Sequence, residues 1–374
     1  MDTNKSRLHW LDNLRWFTVI LVLVYHVFYL FNNKGVLGGI GGFVADPKGQ
    51  PQDVITYILY PWFMMLLFLV AGISAKYALD KHNNREFIAS RTRKLLVPAT
   101  IGLFVFQWMT GYFNIQIAGV SQGISDKIST IPSVARYLSC VFVGIGPLWF
   151  IQDLWIFSLL LVLIKKIDRN DKFWQWCGKI NMAGIILLGV IVYLGQQTLL
   201  MEPKMALGEG LYNGYKPIVY FIPFLLGYFV FSHEKAQELT VKMHLPILVA
   251  AIVTGIVLVA TTWGQDYSTP QYLRSILNNL YAWLMILAML GCFKAWFDQT
   301  NSFATYMSRS SFGIYVVHYL VIVSLGYMMK VYTTLSPFAI YIILLIAVLI
   351  ISPLLYEILR HIPFVRWCVL GVKK

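Results

Sequence analysis

Ten long apolar stretches constrain the fold of this chain more than any other feature. A helix needs about 20 mostly apolar residues to cross a membrane, and the stretches have roughly that length. Charged residues make up only 13% of the 374 positions, too few to cover the surface of a soluble fold of this size. The pattern predicts an all-α membrane protein, a polytopic bundle of about ten transmembrane helices at residues 15–31, 54–79, 95–113, 147–164, 180–195, 217–232, 245–263, 276–297, 312–329 and 337–359.

The chain is expected to form a single integral membrane domain over residues 1–374. The first apolar stretch runs into Asn32-Asn33-Lys34-Gly35 instead of a small-residue cleavage site, so we interpret it as a membrane span and not as a signal peptide. Residues 133–146 are apolar but short, which predicts an interfacial or re-entrant segment.

The distribution of positive charge predicts the orientation of the bundle. With the N-terminus in the cytoplasm, 21 of the 30 Lys and Arg residues fall in inner segments and eight in outer segments. This bias satisfies the positive-inside rule and predicts that both termini are cytoplasmic. The net charge of +13 is therefore a sign of topology, and no nucleic-acid partner is expected.

The first span carries ionisable residues on one face. Arg15 and His26 are 11 residues apart, which at 100° per residue leaves them about 20° apart around the helix and about 16 Å apart along it. Arg15 is thus expected at the inner interface and His26 near the middle of the membrane, with Asp12 on the same face as Arg15. Ionisable residues inside spans suggest function, although His26 could also serve only as a hydrogen-bonding partner between helices.

Two further spans carry polar side chains. Ser311, Tyr315 and His318 form one stripe on the ninth span, which suits either a functional site or a row of interhelical hydrogen bonds. Trp149 and Asp153 share a face of the fourth span, and a carboxylate there needs a partner or a watery cavity. Asp153 could orient a histidine or pair with an arginine.

A basic cluster formed by Arg91, Arg93 and Lys94 precedes the third span. Such a cluster can mark topology only, bind anionic lipid headgroups, or hold the phosphates of a cytosolic cofactor through charge-assisted hydrogen bonds. The four cysteines form no CxxC pair. No metal is therefore expected.

These motifs together resemble the acyltransferase-3 family of integral membrane acyltransferases over almost the whole chain. Arg15 followed after ten residues by His26 resembles the family's Arg-x10-His signature. Arg91-Thr92-Arg93-Lys94 is similar to its Arg-x-x-Arg motif, with Lys in place of the second Arg. Two further matches are Pro147-Leu148-Trp149-Phe150-Ile151, similar to the Leu-Trp-Phe element, and Ser311 to His318, similar to the Ser-x-Gly-Ile-Tyr-x-x-His element.

The resemblance implies an O-acyltransferase in the bacterial cytoplasmic membrane. The donor would be cytosolic acyl-CoA (acetyl-CoA or succinyl-CoA), and the acceptor a hydroxyl of an envelope glycan or lipid-linked sugar. Arg15 and the basic cluster would bind the donor phosphates, with Trp149 and Tyr315 also expected beside the donor. His26 would act as general base or form an acyl-imidazole, and Asp12, Asp153 or His318 would orient it or stabilise the oxyanion.

A transporter or flippase without acyl-transfer chemistry is the alternative. Ten spans with sparse intramembrane charge are compatible with it. Transporters often contain paired broken helices in two repeated halves, and the sequence has no such pairing.

Overall fold

The computed structural model describes residues 8–31, 53–122, 130–168, 170–200 and 217–372. These residues form helices and no strands, which confirms the all-α prediction for the described part of the chain. The α-helices are α1 His9–Phe31, α2 Val54–Leu59, α3 Phe63–Lys81, α4 Asn84–Arg91, α5 Trp108–Gln122, α6 Ser133–Val143, α7 Trp149–Ile167, α8 Lys172–Cys177, α9 Met182–Leu199, α10 Pro217–Leu226, α11 Glu234–Lys242, α12 His244–Thr262, α13 Pro270–Leu273, α14 Ile276–Trp296, α15 Ser302–Tyr332, α16 Pro337–His361 and α17 Pro363–Leu370.

Eight segments of the described chain are long and apolar enough to cross a membrane. Each corresponds to one of the ten predicted spans, so the polytopic bundle is confirmed. The predicted span at 217–232 is a shorter apolar helix, Ile218–Phe231, and Ser133–Val143 is likewise short, as the sequence predicted for that region.

The predicted span at 95–113 is not one continuous α-helix. Its residues form a π-helical turn at Thr92–Leu96, a second at Leu103–Gln107, and only then α5. Pro98 explains the break, because it has no backbone N–H and its ring clashes with the carbonyl four residues earlier. The backbone N–H groups of Val97 and Gly102 bond five residues back instead, to Thr92 and Val97.

The spans divide into a buried central set and a more exposed peripheral set. In the α3 and α14 spans 72% of the apolar window is buried, whereas in α9 and α12 only 22% is. Helix α1 packs against α3, α14, α15 and α16 and so lies within the central set. The polar residues of α1 therefore face other helices of the protein.

Two glycines allow α3 and the α10 segment to cross at backbone contact. A methyl group at Gly72 would overlap the carbonyl oxygen of Phe224, and one at Gly227 would overlap that of Leu69. Such close approach of small residues is a common way to stabilise helix pairs in membranes.

One end of the bundle brings together segments that are distant in the chain. The backbone N–H of Trp10 donates to Asp298 Oδ1 at 3.0 Å, and Asn13 Nδ2 donates to the Phe297 carbonyl at 2.7 Å. At the same end Gly371, which follows α17, packs against the backbone of Arg93 and Lys94. We call this the inner end, since the charge distribution predicts that it faces the cytoplasm.

Candidate active site

The site is built around two histidines on adjacent helices. His26 of α1 and His318 of α15 have ring centroids 5.1 Å apart, with His318 Nε2 at 3.3 Å from His26 Nδ1. His318 is 0% exposed, whereas His26 is partly exposed. His26 is therefore the member of the pair that a substrate can reach.

The carbonyl groups around the pair indicate which nitrogen of each ring carries the proton. His26 Nδ1 lies 2.8 Å from the Val22 carbonyl, and His318 Nδ1 lies 2.5 Å from that of Tyr315. A carbonyl only accepts, so each Nδ1 is assigned as the protonated nitrogen. His318 Nε2 is then a second, more distant acceptor that shares the His26 Nδ1–H with the Val22 carbonyl, and His26 Nε2 carries the lone pair of that ring.

Aromatic side chains enclose the histidine pair. The ring centroid of His26 lies 5.3 Å from that of Tyr25 and 5.2 Å from that of Tyr319. Gly146, at φ 40°, lies against the Tyr319 ring, where a side chain would be strained and would press on the ring. The enclosure limits access of water to the pair, which strengthens electrostatic interactions there.

Tyr315 and Trp149, predicted to lie beside the donor, have packing contacts in the structure. The Tyr315 hydroxyl donates to the Pro147 carbonyl, which ties α15 to the start of α7. Trp149 packs against Phe68 and Tyr220, with centroid distances of 6.2 and 5.4 Å. Their contact with a donor stays a prediction.

Of the three candidate partners of His26, only His318 contacts it. Asp12 lies at the inner end, 14 residues before His26, a helical rise of about 21 Å. Asp153 of α7 is 2% exposed, and its Oδ1 has no hydrogen-bond partner among the described residues. That oxygen is a buried acceptor without a hydrogen bond. Burying such a group in an apolar interior costs free energy.

Arg15 is held at the inner end by two side chains. Its Nη1 lies 3.1 Å from Asp12 Oδ1, and its Nη2 donates to Ser74 Oγ at 3.0 Å. Ser74 in turn donates to the Val70 carbonyl. The sequence reasoning missed Ser74, although a lone hydroxyl in the apolar run of α3 was a usable signal.

The basic cluster converges with Arg15 at the inner end. Burial, and next the Arg15 guanidinium, lower the pKa of Arg91 to about 10. Desolvation by the surrounding protein lowers the pKa of Lys94, and so do Arg91, Arg93 and Arg15. Four cations, from α1, the end of α4 and the turn that follows it, thus lie near one another.

The cluster has no acidic counterpart in the described part of the chain. Arg91, Arg93 and Lys94 form no ion pair there, and Arg93 Nε is buried without a partner. Arg91 instead lies over the Phe87 ring, 5.1 Å from its centroid. Concentrated positive charge without a protein partner suits a polyanionic ligand such as a phosphorylated donor.

Two contacts that the sequence reasoning missed hold the basic cluster in place. Trp155 Nε1 of α7 donates to Thr92 Oγ1 at 3.0 Å. Gly371, at φ 64°, lets the end of α17 approach the Arg93 carbonyl, to which a methyl group at Gly371 would be only 2.7 Å away. The glycine after the last apolar helix was a recognisable C-terminal signal, but its neighbour in space was not.

The described residues contain no group of three or more His, Cys, Asp or Glu side chains able to hold a metal ion. The four cysteines are free and buried.

A family model described as an acyltransferase domain matches residues 8–357. The chain belongs to the acyltransferase 3 family. No curated protein and no solved structure matched the chain. Membership makes this protein a multi-pass membrane acyltransferase, which favours group transfer over the transporter alternative.

Proposed function

We propose that this acyltransferase moves an acyl group, acetyl or succinyl, from cytosolic acyl-CoA to a hydroxyl of an envelope glycan or lipid-linked sugar in the bacterial cytoplasmic membrane. The observation that supports the proposal is the contact between His26 and His318, with His318 Nε2 at 3.3 Å from His26 Nδ1, which leaves His26 Nε2 as the unprotonated nitrogen of that ring. The acyl group and acceptor follow from the resemblance of the motifs.

The donor is expected to bind from the inner end. Arg15, Arg91, Arg93 and Lys94 contact its phosphates. Arg15 is also paired with Asp12, at 3.1 Å, whereas the other three form no ion pair within the described residues. The pantetheine arm then extends along α1 towards His26, about 16 Å deeper by helical rise. An elongated donor with phosphates at one end and a thioester at the other matches this separation.

His26 Nε2 removes the proton from the acceptor hydroxyl as its oxygen attacks the thioester carbonyl carbon. The C–S bond then breaks, and the imidazolium returns the proton to the departing thiolate. The products are an ester and CoA with a free thiol, so the step needs no further reactant. General base catalysis of this kind contributes about 10²–10⁴-fold.

The test is release of CoA thiol from acetyl-CoA or succinyl-CoA by purified protein in lipid nanodiscs, in the presence of envelope glycan extract. His26→Gln should abolish release and leave the melting temperature within a few degrees of the parent. His244→Gln is the matched control. Like His26, His244 bonds through Nδ1 to the carbonyl of a residue shortly before it in the sequence, Val241. Full activity of His26→Gln would refute the assignment, and mass spectrometry of the glycans identifies the acyl group and acceptor.

A further inference from the structure

The proposed transfer needs a hydrogen-bond donor beside His26. As the acceptor oxygen attacks, negative charge develops on the thioester carbonyl oxygen, and a preorganised donor stabilises such charge. The rings that lie next to that of His26 are those of Tyr25, Tyr29, His318 and Tyr319. His318 supplies no such donor, because its Nδ1–H is directed to the Tyr315 carbonyl and its Nε2 is assigned as an acceptor. The tyrosine hydroxyls are therefore the candidates.

Tyr319 lies opposite His26 on the neighbouring helix α15. The two ring centroids are 5.2 Å apart, and the ring planes are inclined at 70°. Tyr25 directly precedes His26 in α1, and consecutive side chains of a helix do not face the same direction. The Tyr29 centroid is farther away, at 6.3 Å. Of the three tyrosines, Tyr319 is the one that faces His26 from another helix.

The Tyr319 hydroxyl has an unused hydrogen-bond donor. The side chain is 6% exposed, and its hydroxyl makes no hydrogen bond with another described residue. The hydroxyls of Tyr228 and Tyr272 also lack a partner but are fully enclosed, whereas that of Tyr319 is not. Polar groups inside proteins are normally satisfied, so a phenol in this state suits an acceptor atom that a substrate supplies.

A turn at residues 146–147 holds Tyr319 in this position. A methyl group on Gly146 would lie only 3.2 Å from Tyr319 Cδ1, so the backbone of the turn packs against the ring. The carbonyl of Pro147 accepts from the Tyr315 hydroxyl, which ties the same turn to α15. The phenol is thus positioned before a substrate binds, as electrostatic preorganisation requires.

We propose that the Tyr319 hydroxyl donates a hydrogen bond to the thioester carbonyl oxygen and stabilises the oxyanion that forms there. The inference rests on the proposed function. When the acceptor oxygen bonds to the carbonyl carbon, the π electrons of the C=O bond move to its oxygen, which accepts from Tyr319. The electrons return as the C–S bond breaks, and the proton of Tyr319 stays on its own oxygen. Tyr319 is therefore a catalytic residue that binds the transition state more strongly than the ground state.

Tyr319→Phe deletes the hydroxyl and keeps the ring, and the CoA-release assay with full-length protein in nanodiscs tests it. We expect kcat to fall by about 100-fold with an unchanged Kd for acyl-CoA. Tyr228→Phe is the matched control, because it also deletes a hydroxyl without a partner and should keep the activity of the parent. The electrostatic neighbours of Tyr228 are at or beyond the inner ends of α3 and α7, namely Asp80, Asp168 and Asp171. Since neither hydroxyl is bonded, both variants should melt at the temperature of the parent.

Four results would overturn the inference. Parent-like kcat in Tyr319→Phe, with His26→Gln inactive, would refute it and leave the proposed function standing. A loss in Tyr29→Phe with none in Tyr319→Phe would assign the donor to Tyr29. A lower melting temperature of Tyr319→Phe would show that its hydroxyl already has a partner in the folded protein. Absence of acyl transfer by the parent would refute the proposed function, and this inference with it.

Discussion

His318 Nε2 lies 3.3 Å from His26 Nδ1, although the two residues are 292 positions apart in the chain. The contact fixes the orientation of the His26 ring and places an acceptor beside its Nδ1–H. On the proposed mechanism, an imidazolium that forms on His26 would be stabilised by a neutral, buried neighbour. We therefore propose that His318 acts through His26 as a positioning residue.

Replacing His318 should slow the chemical step without weakening donor binding. We expect His318→Ala to lower kcat by about 100-fold with little change in the KM for acyl-CoA, since Arg15, a proposed phosphate-binding residue, lies about 16 Å from His26 by helical rise. His318→Gln, which can still accept from the Nδ1–H, should recover part of the loss. A parallel rise of KM, or an unchanged pH profile of kcat, would indicate a structural role only.

Removing charge from the basic cluster should weaken donor binding. Arg91→Gln and Lys94→Gln should each raise the Kd for acyl-CoA by about tenfold, the effect of one lost contact between a cation and a phosphate. The effect should shrink at high salt. Arg85→Gln is the control, because Arg85 lies on α4 six residues before Arg91 and points about 120° away around the helix. A similar loss in that control would mean that only the overall charge matters.

Arg91→Gln should also stabilise the protein without donor. The pKa of Arg91 is lowered to about 10, by burial and by Arg15, so the unfolded chain binds its proton more tightly than the folded chain does. The charge is thus destabilising below pH 10, and this effect is relieved as the pH rises through 10. The variant should gain no more than about 1 kcal/mol at pH 7.5, since the site is partly solvated, and the gain should diminish above pH 10. Chemical denaturation across this range measures it, and a destabilised variant at pH 7.5 would contradict the expectation.

Ser74→Ala should impair the donor site through Arg15. Loss of the 3.0 Å bond to Arg15 Nη2 leaves the guanidinium less well oriented, and we expect the KM for acyl-CoA to rise by about threefold to tenfold. Ser158→Ala is the matched control, because Ser158 likewise bonds the carbonyl four residues earlier in another span. Equal KM values for the two variants would remove Ser74 from the site.

Gly371→Ala should disturb the basic cluster from the C-terminal side. Both Gly371 and Gly264 have positive φ, 64° and 86°, so an alanine at either costs about 1–2 kcal/mol of strain. Only the methyl at Gly371 would press on the Arg93 carbonyl, since nothing lies within 4 Å of the one at Gly264. The KM for acyl-CoA should therefore rise in Gly371→Ala alone, and a rise in both variants would point to general destabilisation.

Local pattern predicted much of the fold and part of the site. The lengths of the apolar runs located the spans, and helical periodicity placed Arg15 and His26 on one face of α1. Pro98, which breaks the third span, is visible in the sequence. The apolar stretch around it was nevertheless long enough to predict one continuous span. Hydropathy averages over a window, whereas one proline removes a specific backbone hydrogen bond.

The sequence by itself determined the candidates for the chemistry, because ionisable side chains are costly inside a membrane and therefore conspicuous there. Only the tertiary structure decided how they are paired. Asp12, Asp153 and His318 were equal candidates as partners of His26, and helix packing brought His318 alone into contact with it. Helix packing likewise brought Ser74 into contact with Arg15 and Gly371 into contact with Arg93. Contacts between segments far apart in the chain depend on how helices cross, and no local pattern of residues encodes that.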